Sequence, residues 1–168
     1  MLSTTINQAL NDQINAELFS SYLYLSMSAY FESINLSGCA HWMRLQAQEE
    51  LEHSIKIFDY INERGGRCTM EAIKKPQNDW ESSLHVMEDV VKHEEKVTGL
   101  INALVDLALD ERDHATRNFL EWFVAEQVEE EANVKAACDR MRMVSGDSGG
   151  LFALDMELGK RANNTEQQ

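Results

Sequence analysis

Proline is almost missing from this chain: Pro76 stands alone in 168 residues. Helices can therefore run long without a residue that removes an amide donor and clashes with the preceding turn. Glycine is scarce and grouped at 65–66 and 146–150, apart from Gly38, Gly99 and Gly159. β-Branched residues alternate nowhere for long, which excludes a sheet as the organising element. The three cysteines, Cys39, Cys68 and Cys138, are an odd number without metal-type pairing. That excludes a disulfide framework and points to free thiols in a reducing compartment, so a cytoplasmic location is expected. Basic residues are outnumbered, 15 to 29, for a net charge of −14. Such a charge argues against nucleic acid and anionic membranes as partners. No apolar run of about 18 residues is present, so no transmembrane helix is expected. The first residues, MLSTTINQALNDQ, lack a basic segment followed by an apolar one, so no signal peptide is expected either.

What remains reads as one all-helical domain over residues 1–160, with a polar tail at 161–168. Ser3 is a good N-cap for a first helix running to about Ser33. Leu18, Tyr22, Leu25 and Ala29 form one apolar stripe on it, and Leu10, Ile14, Tyr24 and Phe31 lie along another. A helix apolar on two sides needs two partners, and another subunit is the expected second one. Ser37 is the candidate cap of a second helix, from about Gly38 to Glu63. A non-periodic stretch follows from Gly65 to about Asp79, which would cap a third helix from Trp80 to Leu109. After a short turn at Asp110–Asp113, a fourth helix continues to about Val144. A last short helix spans roughly Leu151 to Gly159.

Loop length constrains the topology. The short first and third joints force antiparallel neighbours. The middle connection reaches about 50 Å when extended, enough to run the length of the bundle and leave helices two and three parallel. A four-helix bundle with one long crossover and a short fifth C-terminal helix is the ferritin-like arrangement.

Each long helix interrupts its own apolar stripe near mid-length with a side chain able to bind metal. The first helix has Glu17. The second has Glu50 and His53 among Met43, Ala47, Ile57 and Ile61. The third has Glu94 among Met87, Val90, Val97, Ile101 and Leu104. The fourth has Gln127 and Glu130 among Phe123, Val134, Ala137 and Met141. Residues three apart leave the same helical face, so Glu50 and His53 enter the core together. Carboxylates facing one another across a core repel unless cations lie between them. Oxygen-rich ligands with one imidazole suit a hard or borderline cation such as iron. The pattern is similar to that of di-iron carboxylate bundles, except that Gln127-x-x-Glu130 stands where a second Glu-x-x-His would be.

The carriers NAELFSSYLYL around Glu17, QAQEELEHS around Glu50 and His53, KHEEKVT around Glu94 and LEWFVAEQVEEE around Gln127 and Glu130 make the resemblance specific. Over residues 3 to 160 the chain resembles non-haem bacterial ferritins. That resemblance implies an iron-storage ferroxidase with two irons per centre, working on Fe(II) and O2 or peroxide. Glu17, Glu50 and His53 would hold one iron, and Glu50, Glu94 and Glu130 the other, with Gln127 beside them. Glu49, Glu126, Glu129 and Glu130 would form a third iron site, and Tyr24 would donate an electron. It further implies a homo-oligomeric hollow cage, expected as a 24-mer, in which ferric mineral is stored. Two departures stand out. Leu51 and Ser54 replace a common Met and Ala. In haem-binding bacterioferritins that Met is the axial haem ligand, so no haem is expected here. The alternative reading is a non-storage di-iron oxidase or peroxidase of the rubrerythrin type, although no Cys-x-x-Cys iron domain is present. His41, His85, His93 and His114 read as surface or interface residues, and Trp122 as packing.

Overall fold

The protein is described here by a computed structural model covering residues 2–162. Residues 163–168, most of the expected polar tail, lie outside the described residues. Five helices form in order: α1 (Thr4–Ser33), α2 (Ser37–Glu63), α3 (Ser83–Asp110), α4 (His114–Met143) and α5 (Ser148–Leu158). No strand occurs among the described residues, as the lack of alternation predicts. α1 packs chiefly on α2, and α3 on α4; the two pairs meet through α1 and α3, and α5 rests on α2.

The crossover shows its direction by its hydrogen bonds. Asn7 and Asn11 each donate from Nδ2 to Arg67 O, at 3.1 and 3.0 Å, and Thr69 N donates to Asn11 Oδ1 at 2.7 Å. Farther along, Ser26 Oγ donates to Gln77 O at 2.6 Å. The stretch therefore climbs α1 in α1's own direction. From Asn7 to Ser26 a helix rises about 28 Å, and the matching extended stretch reaches about 33 Å. α3 consequently starts at the end where α2 starts, and the two are parallel. Asn7, Asn11 and Ser26 of α1 provide a track of acceptors and donors for a loop that has no secondary structure of its own.

The helix starts differ from the sequence expectation at three places. α1 and α4 are capped by Ser3 and Asp113, whose side chains accept from Ile6 N and Thr116 N. α2 has Leu36 at its cap position with no side-chain bond, so Ser37 is not the cap. Its first-turn amide at Cys39 is instead satisfied by Asp155 Oδ1 of α5, at 2.8 Å. α3 begins at Ser83, with Ser82 accepting from His85 N, and Asp79 is not its cap. Trp80 is the reason. Its ring turns into the core against Tyr30, and its indole N–H reaches Asp89 Oδ2 at 3.1 Å. α5 begins at Ser148, ahead of Leu151, because Asp147 caps it and carries Gly149 and Gly150 into the first turn.

Gly38 is required where α5 docks: a Cβ there would stand 1.8 Å from the carbonyl oxygen of Asp155. Gly38→Ala is expected to push α5 away, strip the Cys39 amide of its partner and lower the melting temperature by several degrees. A thermal melt compared with the wild type reads this directly; an unchanged transition would mean that α5 is not held as described.

The core is divided. One apolar cluster includes Tyr24, Met27 and Phe31 of α1, Met43 and Ala47 of α2, Val86 to Val90 of α3 and Val134 to Met141 of α4. The other joins Ile6, Leu10 and Ile14 with Ile57, Ile61, Val97, Ile101, Leu104, Leu120 and Phe123. Between them every long helix contributes a buried polar layer: Glu17, Glu50, His53, Glu94, Gln127 and Glu130. Two apolar halves of the same bundle thus exclude water from a plane of acids.

Candidate metal centre

Glu17, Glu50, Glu94 and Glu130 are 1, 2, 0 and 3% exposed. An ionised carboxylate so placed costs several kcal/mol unless its charge is matched. Ligand atoms of Glu17, Glu50 and His53 lie within 4.8 Å of one another, and this is the one such cluster among the described residues. His53 Nδ1 stands 3.3 Å from Glu50 Oε2. The imidazole is wedged edge-on against Trp122 and Phe123, with ring centroids 5.4 and 5.9 Å away. Trp122 is therefore packing, but packing that fixes the histidine of the cluster.

The bonds around the acids separate two kinds of group. Glu17 Oε1 accepts from Gln13 Nε2 at 2.8 Å, while Glu17 Oε2 and Glu50 Oε2 are buried and form no hydrogen bond, the second of them with only His53 Nδ1 nearby at 3.3 Å. Orphaned buried oxygens of this kind are rare and call for a partner. Glu94 is well supplied: Tyr24 Oη donates to its Oε1, and Gln127 Nε2 donates to its Oε2 at 3.2 Å. Glu130 Oε2 accepts from Gln46 Nε2 at 2.8 Å.

Electrostatics follow from this geometry. Burial, and then the Glu50 charge, holds the Glu17 carboxyl well above its ordinary range. Glu50 is raised likewise, by burial first and the Glu94 charge next. Burial also raises Glu94, against the pull of the Tyr24 and Gln127 bonds. Glu130 is pushed up to about 7, chiefly by burial, with the Gln46 bond acting the other way. The Tyr24 phenol is raised well above its usual value by burial and then by Glu94. Without a cation, burial favours the protonated form of these carboxyls. A divalent ion entering the layer displaces protons and supplies the missing charge in the same event. The orphaned oxygens and the all-oxygen-plus-imidazole donor set fit a hard or borderline metal such as iron.

Not every residue singled out in the sequence joins the cluster. Glu49 is half-buried and pairs with Arg161 Nη2 at 2.7 Å. Glu126 is partly buried, its carboxyl raised by burial, and Glu129 is exposed. His93 is a correction. It is half-buried and engaged within the protomer: it bonds Ser20 Oγ at 2.7 Å and meets the Tyr24 ring edge-on at 5.8 Å. His41, His85 and His114 lie away from the acids. The residues that sequence reasoning missed are Gln13, Gln46, Thr98 and Arg161. Gln13 stands one helical turn before Glu17, the carboxylate it serves, which is a legible signal; Gln46 stands likewise before Glu50 but serves Glu130 of α4, which that spacing does not show. Thr98 accepts from Gln127 at 3.2 Å and donates to Glu131 at 2.5 Å.

Comparison with known proteins agrees with this arrangement. The Ferritin-like domain family matches residues 7–144. A bacterial non-heme ferritin of Bacteroides fragilis is 47% identical over 161 residues, which is 96% of this chain and 100% of the relative. One from Staphylococcus aureus is 37% identical over 166 residues, 99% of this chain and 100% of the relative. An open pore ferritin from the archaeon Archaeoglobus fulgidus, solved by crystallography, superposes with a TM-score of 0.95 at 49% identity, over 96% of this chain and 100% of that one. With its long crossover, its plane of buried acids and these full-length matches, the chain belongs to the ferritin family.

Proposed function

We propose that the protein is an iron-storage ferroxidase. The observation that carries this is the Glu17–Glu50–His53 cluster, buried, with two carboxylate oxygens that form no hydrogen bond, in a chain of the ferritin family. Fe(II) is the substrate. Glu17, Glu50 and His53 hold one Fe(II), and Glu50, Glu94 and Glu130 hold the second, with Gln127 orienting Glu94. Glu50 serves both as the bridging carboxylate. Each Fe(II) gives up one electron; O2 accepts both with two protons and leaves as hydrogen peroxide, and the carboxylates favour the ferric products. Tyr24, bonded to Glu94, would donate an electron to the centre in place of one from iron. Glu49, Glu126, Glu129 and Glu130 offer the oxidised iron a third position on its way out. Leu51 presents no haem-ligating atom, and no haem is involved.

Storage requires an enclosed space, and we infer a homo-oligomeric cage of 24 subunits in the cytoplasm. Tyr22 and Leu25, on the second apolar stripe of α1, are 49 and 51% exposed in the protomer. Large apolar residues clustered on one face are the expected mark of a subunit contact. No helix of the described residues is long and apolar enough to cross a membrane.

Particle mass and iron content test this reading together. A large closed particle retaining many irons per subunit after aerobic Fe(II) loading is the expected result. A small oligomer that saturates near two irons per subunit would replace storage with a non-storage di-iron oxidase or peroxidase of the rubrerythrin type.

A further inference from the structure

The chain ends its described course on the acidic layer. Just past α5, Arg161 O bonds His41 Nε2 at 3.0 Å, and the guanidinium lies over the Trp42 ring, 5.1 Å from its centroid. Nη2 donates to Glu49 Oε2 at 2.7 Å, and Nη1 donates to Gln46 Oε1. Gln46 passes the contact inward, since its Nε2 donates to Glu130 Oε2 at 2.8 Å. An amide has one carbonyl and one amino end. With its carbonyl committed to Arg161, Gln46 can only turn its amino group to Glu130. The Glu17–Glu50–His53 side of the layer has no such attachment.

From this geometry we propose that Arg161 is a tethered counter-cation and positioning residue for the outer half of the metal centre. It occupies Glu49 directly, and it holds one oxygen of Glu130 through Gln46. A metal ion that takes Glu130 Oε2 or Glu49 Oε2 must displace this relay, and one on the other oxygen shares its carboxylate with it, whereas one bound by Glu17, Glu50 and His53 does neither. Arg161 therefore sets the gap in affinity between the first metal position and the outer ones. A small gap would let iron remain in the outer positions; the relay keeps them weak, so that iron moves on. The inference rests on the metal-binding reading of the preceding section.

The test uses the assembled full-length protein and Zn(II), a redox-inert probe, followed by titration calorimetry. In the wild type we expect one tight Zn(II) per subunit and weaker ones after it. Arg161→Ala should tighten the weaker steps by about tenfold, the size expected when a charge-assisted hydrogen bond no longer has to be broken first. The tight step should be unchanged. Arg161→Lys, which keeps the charge and reaches Glu49 but cannot fork to Gln46, should fall between the two. Weaker steps that are unchanged or loosened in Arg161→Ala overturn the proposal and leave the metal-binding reading intact. Absence of the tight step in the wild type overturns both. A merely structural role for Arg161 would lower the melting temperature without this selective change in the isotherm.

Discussion

Alanine at His53 is expected to slow the rapid phase of Fe(II) oxidation by about 100-fold or more, with the bundle still folded and assembled. His53 is the only nitrogen donor of the buried cluster. Removing it leaves Glu17 and Glu50 with too few donors to fix a first Fe(II) at low concentration. Loss even of a group that supports a metal ligand costs 10- to 100-fold in affinity or rate, so loss of a ligand sets a floor near the upper figure. Folding should survive, because the imidazole packs edge-on against Trp122 and Phe123, which stay in place without it. Glu94→Ala should act similarly, from the other side of Glu50. Glu52→Ala is the control, since Glu52 is exposed and belongs to none of the iron positions; its initial rate should stay within a few-fold of wild type. Stopped-flow absorbance of ferric product measures all three. Wild-type initial rates in His53→Ala and Glu94→Ala would contradict the assigned centre.

The second large effect concerns the metal-free protein and pH. Glu130 titrates at about 7 in the folded chain against an ordinary 4.5. Below about pH 4.5 it is protonated folded and unfolded, and its burial costs no charge. As pH rises from there to about 7, the folded protein holds a proton that the unfolded chain has released, so stability falls. Above about pH 7 the loss is complete, on the order of 3 kcal/mol for this one group. Glu17 and Glu50, also held well above their ordinary range by burial, add to the decline. Metal-free wild type should therefore lose stability between pH 5 and 8, and Glu130→Gln should lose about 3 kcal/mol less over that interval. Zn(II) should invert the trend, because it competes with the same protons and binds better as they leave. Denaturant melts at several pH values check both signs. Parallel curves for wild type and Glu130→Gln would show that Glu130 is not buried as an acid.

Most of this site was legible in the sequence because helices repeat. A carboxylate breaking an apolar stripe is visible at a period of 3.6, and four such breaks at matching depth define a layer. Glu17, Glu50, His53, Glu94, Gln127 and Glu130 all occupy it. The topology was legible from the length of one loop. What the sequence hid depends on rotation and on distant contacts. His93 neighbours Glu94, and adjacency in a helix places it about 100° round the axis, yet that turn brings it against α1, where Ser20 and Tyr24 partner it. Helix starts were misplaced where a tertiary contact outweighed local propensity: Trp80 anchors the loop before α3, and Asp155 takes over the cap of α2 from another helix. Arg161 was invisible as part of the centre because 115 residues separate it from Gln46. Charge runs mislead for a related reason. Glu126, Glu129, Glu130 and Glu131 sit close in sequence, but only Glu130 is buried.

The central claim is that acids sunk between two apolar halves of a bundle exist to hold a pair of divalent ions. Anomalous diffraction from crystals of the assembled protein, loaded with Fe(II) under anaerobic conditions, tests it most directly. The account predicts two peaks per subunit inside the bundle, one among Glu17, Glu50 and His53, the other among Glu50, Glu94 and Glu130, with Glu50 between them. Peaks confined to the exposed carboxylates, with the buried layer free of metal and its hydrogen bonds unmoved, would contradict it.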